Sequence, residues 1–289
     1  MKRPAVDSQG KWVLVTGAAG GIGAETVRVL AGAGFGVLAA ARRNPEAFDL
    51  PTTGSDRVRK LSLDVTDDRA VREMPARVRE ITGQDRLFGL VNNAGIAIPG
   101  AFECSSMDDA RRQIDTNVVG TLSLTHALLP LIRAARGRIV VISSIAGRLG
   151  MPFNAVHTGT KHFLEGAFDA LRVELRGVGV ETVIIEPGTI GTPMVEKFSE
   201  SASAAITRVP PELEKLYARP VRAMATELEG HIDRGSPPSV VAEAVLKALT
   251  VSRPRTRYPV GRKARPLTTL ARVLPDRRKD ALISRVLGL

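Results

Sequence analysis

Short apolar runs alternate with amphipathic helical patterns along most of the chain. Runs typical of buried strands lie at 11–17, 35–43, 58–65, 86–95, 137–144 and 180–188. Apolar residues at helical spacing lie between several of these runs, at 24–34, 68–82, 107–134 and 155–177. This alternation predicts an α/β fold, a doubly wound and mostly parallel sheet of about seven strands with helices on both faces. Binding sites in such sheets lie at the carboxyl ends of the strands.

The pattern loosens after the sixth run. Residues 193–235 mix small, polar and proline residues, which indicates a mobile excursion that would cover a substrate at the carboxyl edge of the sheet. The pattern at 236–250 predicts a helix capped by Ser236 or Ser239. The run at 256–261 is expected to form the last strand at the edge of the sheet.

Composition favours one soluble domain spanning residues 1–289. A hydrophobic content of 44% is enough for a large core. Cys104 is the single cysteine, which excludes an internal disulfide and suits a reducing compartment, and no metal-ligand spacing surrounds it. The N-terminal residues lack the apolar region of a signal peptide, and no stretch is apolar enough to span a membrane. We therefore expect a cytoplasmic protein without a metal site.

The C-terminal segment, residues 253–289, carries most of the net positive charge. The whole chain has a net charge of +11, and this segment has eleven basic residues against two acidic ones, which leaves +2 for the rest. A nucleic-acid-binding body is therefore not expected. The segment is also amphipathic, so it could lie on an anionic membrane surface, or pack on the last strand or on another subunit. We favour packing and expect a homo-oligomer, because apolar stripes are more often buried.

A glycine-rich turn follows the first apolar run and leads directly into a helix. Gly17, Gly21 and Gly23, with Ile22 among them, permit a tight turn and a close approach of the backbone to a diphosphate. The N-terminus of the helix attracts the anion. Glycines alone are weak support for a dinucleotide site, but their place between a strand and a helix makes the prediction stronger than that of a mere glycine turn.

The end of the second run indicates which dinucleotide is bound. An acidic residue there would bond the ribose hydroxyls of NAD, whereas an arginine accommodates the 2′-phosphate of NADP. The chain has Ala41 in the acidic position, followed by Arg42 and Arg43. NADP is therefore favoured, with NAD possible, and the alternative is that the two arginines are only solvated surface residues.

These stretches, with further motifs along the chain, resemble the classical short-chain dehydrogenase/reductase family over about residues 10–195, and in particular its retinol/steroid-dehydrogenase-like branch. The motifs are "TGAAGGIG", "NNAG" at 92–95, "IDTNVVG", "VVISSIAG" and "EPGTIGT". The resemblance implies a nicotinamide dinucleotide held by Gly17, Gly21, Ile22, Gly23, Arg42, Asp64, Val65, Asn93, Ala94, Gly95, Lys161, Pro187, Gly188, Ile190 and Thr192. It implies a catalytic set of Asn117, Ser144, His157 and Lys161.

Position 157 departs from the family pattern, in which a tyrosine moves the proton. Ser144 and Lys161 keep the family's spacing around it, and neither Tyr217 nor Tyr258 is followed by a lysine four residues later. An imidazole nitrogen lies about 2 Å closer to its own Cα than a phenolic oxygen does, against a hydrogen-bond reach of about 2.6–3.2 Å. The Lys161 cation favours neutral imidazole, which is a fair base and a poor acid.

Two functions remain open from the sequence. The first is an oxidoreductase that moves a hydride between NADP and a hydroxyl or carbonyl group of a fairly apolar small molecule, impaired by His157 and better at oxidation than at reduction. The second is a dinucleotide-binding module that no longer catalyses a reaction. The cofactor motifs are intact for both.

Overall fold

A computed structural model describes residues 6–42, 44–50, 56–192, 194, 201, 205 and 209–287. Within these residues one parallel sheet of seven strands has the order β3-β2-β1-β4-β5-β6-β7. The strands are β1 Trp12–Thr16, β2 Gly36–Ala41, β3 Val58–Ser62, β4 Gly89–Asn92, β5 Arg138–Ile142, β6 Glu181–Pro187 and β7 Arg257–Val260. The strand order reverses between β1 and β4, and a crevice for ligands is expected at this point of the carboxyl edge. The predicted fold class is confirmed.

Nine helices in the described part of the chain accompany the sheet. They are α1 Gly21–Gly32, α2 Asp68–Thr82, α3 Met107–Ile114, α4 Gly120–Ala134, α5 Ala155–Arg176, α6 Glu214–Arg234, α7 Ser239–Thr250, α8 Ala264–Val273 and α9 Asp276–Leu287. Successive strand residues point to opposite faces, so Leu14 belongs to the core under α2, α4 and α5, whereas Val13 and Val15 belong to the core under α1 and α7. Both faces of the sheet are therefore buried.

Two local predictions are wrong. The single helix expected at 107–134 is interrupted by one π-helical turn, Asp115–Val119, between α3 and α4. The side-chain cap expected for α7 is absent: the helix begins at Ser239 behind Pro238 with no side-chain cap. The hydroxyl of Ser236 instead accepts the backbone N–H of Arg262, at 2.9 Å, and so joins the loop before α7 to the end of β7.

The C-terminal segment folds as β7, α8 and α9. Helix α8 packs on β7 and on the short turn Ile145–Gly147, while α9 contacts α6. One of the basic residues counted in this segment, Arg257, is not a surface charge, since only 12% of its side chain is exposed and it forms ion pairs inside the fold. In the described residues no helix is both long and apolar enough to cross a membrane. The predictions of a homo-oligomer and of a cytoplasmic location stay predictions.

The excursion predicted at 193–235 lies partly outside the described residues. Its described part contains α6, whose Tyr217 hydroxyl donates to the Glu103 carboxylate at 2.7 Å. Val221 and Met224 of the same helix pack with Ala205 and with residues of the loop after β4. This part of the excursion therefore packs against the loop after β4, and its role as a mobile cover over a substrate stays a prediction.

Candidate active site

The turn between β1 and α1 requires glycine at three positions. Gly17 and Gly21 have φ of +65° and +55°, in the left-handed region. A Cβ atom on Gly23 would lie 2.1 Å from the carbonyl oxygen of Gly17, so α1 packs directly against the turn. Helix α1 has no side-chain cap at its N-terminus. Its first N–H groups and its dipole are thus directed at the carboxyl edge of the sheet, which is the arrangement that binds a diphosphate.

Thr16 fastens the loop after β4 to this turn. Its hydroxyl accepts the backbone N–H groups of Asn93 and Ala94, both at 2.9 Å. The Asn93 amide donates to the Thr16 carbonyl oxygen at 2.9 Å. A Cβ on Gly17 would lie 2.8 Å from that amide nitrogen, so the two loops are in contact. The structure therefore brings "TGAAGGIG" and "NNAG" together through Thr16, a residue of the first motif whose structural role the sequence did not indicate.

The residues expected to select and hold the adenosine half lie at the ends of β2 and β3. The Ala18 N–H donates to the Ala40 carbonyl at 3.0 Å, so the glycine turn lies beside the end of β2. Arg42 follows this strand and is exposed, while Arg43 lies outside the described residues. Asp64 accepts the N–H and the hydroxyl of Thr66 on one carboxylate oxygen, at 2.9 Å and 2.7 Å. The neighbouring Val65 is buried.

The segment after β6 closes the other side of the crevice. A Cβ on Gly188 would lie 2.2 Å from the Arg262 carbonyl oxygen, so this position is in tight contact with the end of β7. Ile190 is buried and pairs with Ser236, while Pro187 ends the strand and Thr192 is half-buried. These predicted residues are fixed at the carboxyl edge by backbone contacts.

Asn117 lies at the centre of the π-helical turn and is 1% exposed. Its side-chain oxygen accepts the Ile96 N–H, and its nitrogen donates to the Ile96 carbonyl, both at 2.8 Å. The nitrogen also donates to the Thr160 hydroxyl on α5, at 3.1 Å. π-helical turns are rare and are often found at functional sites. Here the irregular turn directs the Asn117 amide inward, where it forms these three hydrogen bonds. Asn117 thereby joins the loop after β4 to α5.

His157 lies in the first turn of α5 and is half-buried. Its Nδ1 is 3.1 Å from the Ile96 carbonyl oxygen. A carbonyl can only accept, so Nδ1 carries the hydrogen and Nε2 has a free lone pair in the neutral ring. Burial, and then the charge of Lys161, lower the pKa of His157 to about 4, although the bond to Ile96 opposes this. His157 is therefore neutral at pH 7, as expected from the sequence.

Lys161 lies one helical turn further along the same buried face. Its ammonium donates to the carbonyl oxygen of Ile142, at the end of β5, with a distance of 2.9 Å. Burial lowers its pKa to about 8, and the nearby charge of Glu165 partly opposes this effect. A Cβ on Gly95 would lie 3.2 Å from the Asn117 side-chain oxygen and 3.9 Å from the Lys161 side-chain nitrogen. The Gly95 backbone, the Asn117 amide and the Lys161 ammonium therefore lie close together.

Ser144 follows β5 and begins the turn Ile145–Gly147. Its hydroxyl oxygen accepts the Ala146 N–H at 3.1 Å, which leaves the hydroxyl hydrogen for another acceptor. No hydrogen bond between Ser144 and His157 is found in the part of the chain that the structure describes. Both belong to segments at the carboxyl edge, where a substrate oxygen could contact each of them.

A cavity lined by both polar and apolar residues begins at Val156, next to His157 in the chain. It is lined by the loop after β4, by α3 and by the residues just before α5, including Ile98, Ala101, Met107, Phe153 and Val156. Among the described residues no group of three or more His, Cys, Asp or Glu side chains could hold a metal ion. The arrangement thus combines a glycine-rich turn at a helix N-terminus, a neutral imidazole, an ammonium and a neighbouring cavity.

Comparison with known proteins agrees with the fold and with this arrangement. The family model described as short chain dehydrogenase matches residues 11–203. Mouse retinol dehydrogenase 5 is 33% identical, over 99% of this chain and 91% of its own length. Bovine 17-beta-hydroxysteroid dehydrogenase type 6 is 33% identical, over 96% and 89%. The solved structure of a short-chain dehydrogenase from Streptomyces avermitilis superposes with a TM-score of 0.74 at 28% identity and covers 96% of both chains.

The chain belongs to the short-chain dehydrogenase/reductase family, a family of NAD(P)-dependent oxidoreductases. Within that family it falls in the branch of the retinol and steroid dehydrogenases, both of which it matches over nearly its whole length.

Proposed function

We propose that this protein is an NADP-linked oxidoreductase that oxidises a hydroxyl group on a fairly apolar small molecule, with His157 as a weak general base. NAD is the second possible coenzyme. The observation that carries the proposal is the bond from Nδ1 of His157 to the Ile96 carbonyl, because it leaves Nε2 as a hydrogen-bond acceptor beside the ammonium of Lys161.

The residues of the crevice fit a dinucleotide. Gly17, Gly21 and Gly23 form a tight turn that side chains would disrupt, by clashes at Gly17 and Gly23 and by strain at Gly21, and this turn leads into the N-terminus of α1, where a diphosphate would bind. Arg42 is exposed at the end of β2, where a 2′-phosphate would lie. We assign Asp64 and Val65 to the adenine end. The remaining contacts are assigned to Ile22, Asn93, Ala94, Gly95, Lys161, Pro187, Gly188, Ile190 and Thr192.

The proposed reaction divides the hydroxyl group's two hydrogens between coenzyme and protein. When bound, the oxidised nicotinamide supplies the acceptor for the hydride that leaves the carbinol carbon. The hydroxyl proton passes to Nε2 of His157 as the carbonyl forms, and the resulting imidazolium releases it to solvent. Ser144 donates its hydroxyl hydrogen to the substrate oxygen and orients it. Lys161 holds the nicotinamide ribose.

His157 makes this reaction slow in our proposal. A general base works best when its pKa is near the operating pH, and burial and Lys161 lower the pKa of His157 to about 4. In the reverse direction the site would need an imidazolium, which is scarce at pH 7. Alcohol oxidation should therefore exceed carbonyl reduction at neutral pH, relative to a tyrosine at the same position.

A second candidate is a dinucleotide-binding module without catalysis. The same hydrogen bond favours it, since Nδ1 is occupied by Ile96 and the ring reaches less far than a phenol would. Under this proposal Asn117, His157 and Lys161 shape the crevice and do not transfer protons.

A pair of measurements separates the two candidates. Calorimetry gives the affinity for NADP and NAD, and turnover with a panel of apolar alcohols and ketones is then compared for the natural chain and His157→Tyr. Losing a well-matched general acid or base costs about 10²–10⁴ in rate, so His157→Tyr should gain up to about that factor if the site is an impaired enzyme. Native turnover without any gain would refute the impairment, and coenzyme binding with no turnover in either protein would favour the silent module.

A further inference from the structure

A cluster of buried charged side chains lies behind Lys161, on the side away from His157. Two of its carboxylates, Glu165 and Glu186, have only 4% and 1% of their surface exposed. Three further members pair with them or with each other across α5, β6 and β7: Arg148, Asp169 and Arg257. None of these residues belongs to the proposed proton transfer, so the cluster needs its own explanation.

Glu165 lies one helical turn after Lys161, which places both side chains on the same buried face of α5. The turn Ile145–Gly147 packs closely on this face. A Cβ on Gly147 would lie 3.0 Å from Cγ of Glu165 and 3.1 Å from the Lys161 carbonyl oxygen. Only 7% of the surface of Lys161 is exposed, so the protein itself has to stabilise the charge of the ammonium.

Arg257 holds Glu165 from the far side. Its Nε lies 2.9 Å from Oε2 of Glu165, and its Nη2 lies 2.6 Å from Oδ2 of Asp169. The other oxygen of Glu165, Oε1, is buried and has no hydrogen-bond partner among the described residues. Nη1 of Arg148 lies 3.9 Å from Oε2 of Glu165, and the Arg148 side chain is more exposed than that of Arg257. One carboxylate oxygen therefore fixes the side chain, while the second makes no hydrogen bond among the described residues.

We propose that Glu165 is a positioning residue that keeps Lys161 protonated in its buried place, with Arg257 fixing the carboxylate there. The proposal rests on the proposed function in one respect: the charged ammonium is what Lys161 would offer to the coenzyme ribose. The Lys161 ammonium donates to the Ile142 carbonyl, so Glu165 acts on it through its charge and not as its hydrogen-bond acceptor.

Electrostatics support this role. Burial alone moves the pKa of Lys161 down, towards the neutral amine, and the charge of Glu165 moves it back up, so that the pKa lies at about 8 and the lysine is mostly charged at pH 7. Without Glu165 the hydrogen bond to the Ile142 carbonyl would remain, but no negative charge would oppose the effect of burial on the pKa of Lys161. His157 is the titratable group that faces Lys161 from α5, and the charged groups of the cluster around Glu165 are Arg148, Asp169, Glu186, Arg257 and Arg272.

The test measures the protonation of Lys161 directly in the free protein. Carbon-13 NMR of the lysine ε-methylene groups reports the pKa of each of the nine lysines, and Lys161→Met identifies the signal of Lys161. In the natural chain this signal should titrate at about 8. In Glu165→Gln it should titrate at about 7 or below, since an opposite charge at close range changes a pKa by about 1–3.

Asp169→Asn is the matched control. Asp169 lies one turn further along the same helix and also pairs with Arg257, but it is not among the groups that act on Lys161. This variant should leave the titration of Lys161 unchanged. The proposal is overturned if folded Glu165→Gln titrates like the natural chain, or if Asp169→Asn lowers the pKa equally.

A double variant covers the case in which Glu165→Gln does not fold because Arg257 is left with fewer partners. Glu165→Gln with Arg257→Gln removes both charges, and loss of the guanidinium by itself raises the pKa of Lys161. A pKa of Lys161 that is lower in the double variant than in Arg257→Gln alone would therefore still come from Glu165, and equal pKa values in these two variants would overturn the proposal. NADP affinity measured at about pH 6 and about pH 8 then separates the two claims, since a lowered pKa without any change in affinity refutes only the assigned contact to the ribose.

Discussion

The neutral state of His157 makes the free energy of unfolding depend on pH, and replacing this residue measures the size of that dependence. His157→Asn is a suitable variant because the asparagine amide can still donate to the Ile96 carbonyl while nothing titrates. The pKa of His157 is lowered from 6.5 to about 4 by burial and by the charge of Lys161. The unfolded chain therefore takes up a proton as the pH falls through about 6.5, and the native chain does not until about 4.

The size of the effect follows from the pKa difference. A change from 6.5 to about 4 corresponds to about 3 kcal/mol in the free energy of unfolding, and about 2 kcal/mol of it is lost between about pH 8 and about pH 5. The stability is fully present above the pKa of the unfolded state and is lost on acidification. Other groups also titrate in this range, so the quantity of interest is the difference between the two proteins.

Urea unfolding followed by circular dichroism at several pH values gives this difference. The natural chain should lose about 2 kcal/mol more than His157→Asn between about pH 8 and about pH 5. Parallel curves for the two proteins would show that His157 is as easily protonated in the native state as in the unfolded one. That result would refute the lowered pKa of His157, on which the preference for oxidation depends.

Three further outcomes follow from the site. Gly23→Ala should weaken NADP binding by about tenfold or more, because its Cβ would lie 2.1 Å from a backbone oxygen, whereas Gly32→Ala, with nothing within 4 Å, should leave calorimetric affinity unchanged. Asn117→Ala removes three hydrogen bonds and should cost about 2–3 kcal/mol in urea unfolding; a loss below about 0.5 kcal/mol would mean that the π-helical turn does not depend on them. Arg42→Asp should shift the ratio of NADP to NAD affinity by about tenfold towards NAD, and an unchanged ratio would identify Arg42 as a solvated surface residue.

Much of the fold could be predicted because its strands are buried on both faces. The runs that contain Val13, Leu38, Val91 and Val140 are continuously apolar, and each formed a strand within a few residues of the predicted place. The π-helical turn could not be predicted, since the apolar periodicity continues across it. Its cause is the set of hydrogen bonds between Asn117 and a loop distant in sequence.

The candidate site was predictable to a similar extent. The spacing of Ser144, His157 and Lys161 placed these residues at one edge of the sheet, and the neutral imidazole was expected from the neighbouring ammonium. The structure adds burial as the larger cause. It also shows the hydrogen bond to the Ile96 carbonyl. No motif could indicate this bond, because every residue has a backbone carbonyl whatever its type. For Glu165 the sequence predicted only a place in a helix. Its proposed effect on Lys161 depends on Arg257 of β7, which lies 92 residues away in the chain.

The Ile96 carbonyl has a consequence for anyone who restores tyrosine at position 157. Its oxygen has two lone pairs, and in this chain both are occupied, one by Asn117 and the other by the imidazole. A phenol directed at a substrate would leave one of them without a donor, at a cost of about 1 kcal/mol or more. A faster enzyme made in this way should therefore melt at a lower temperature than the protein it came from.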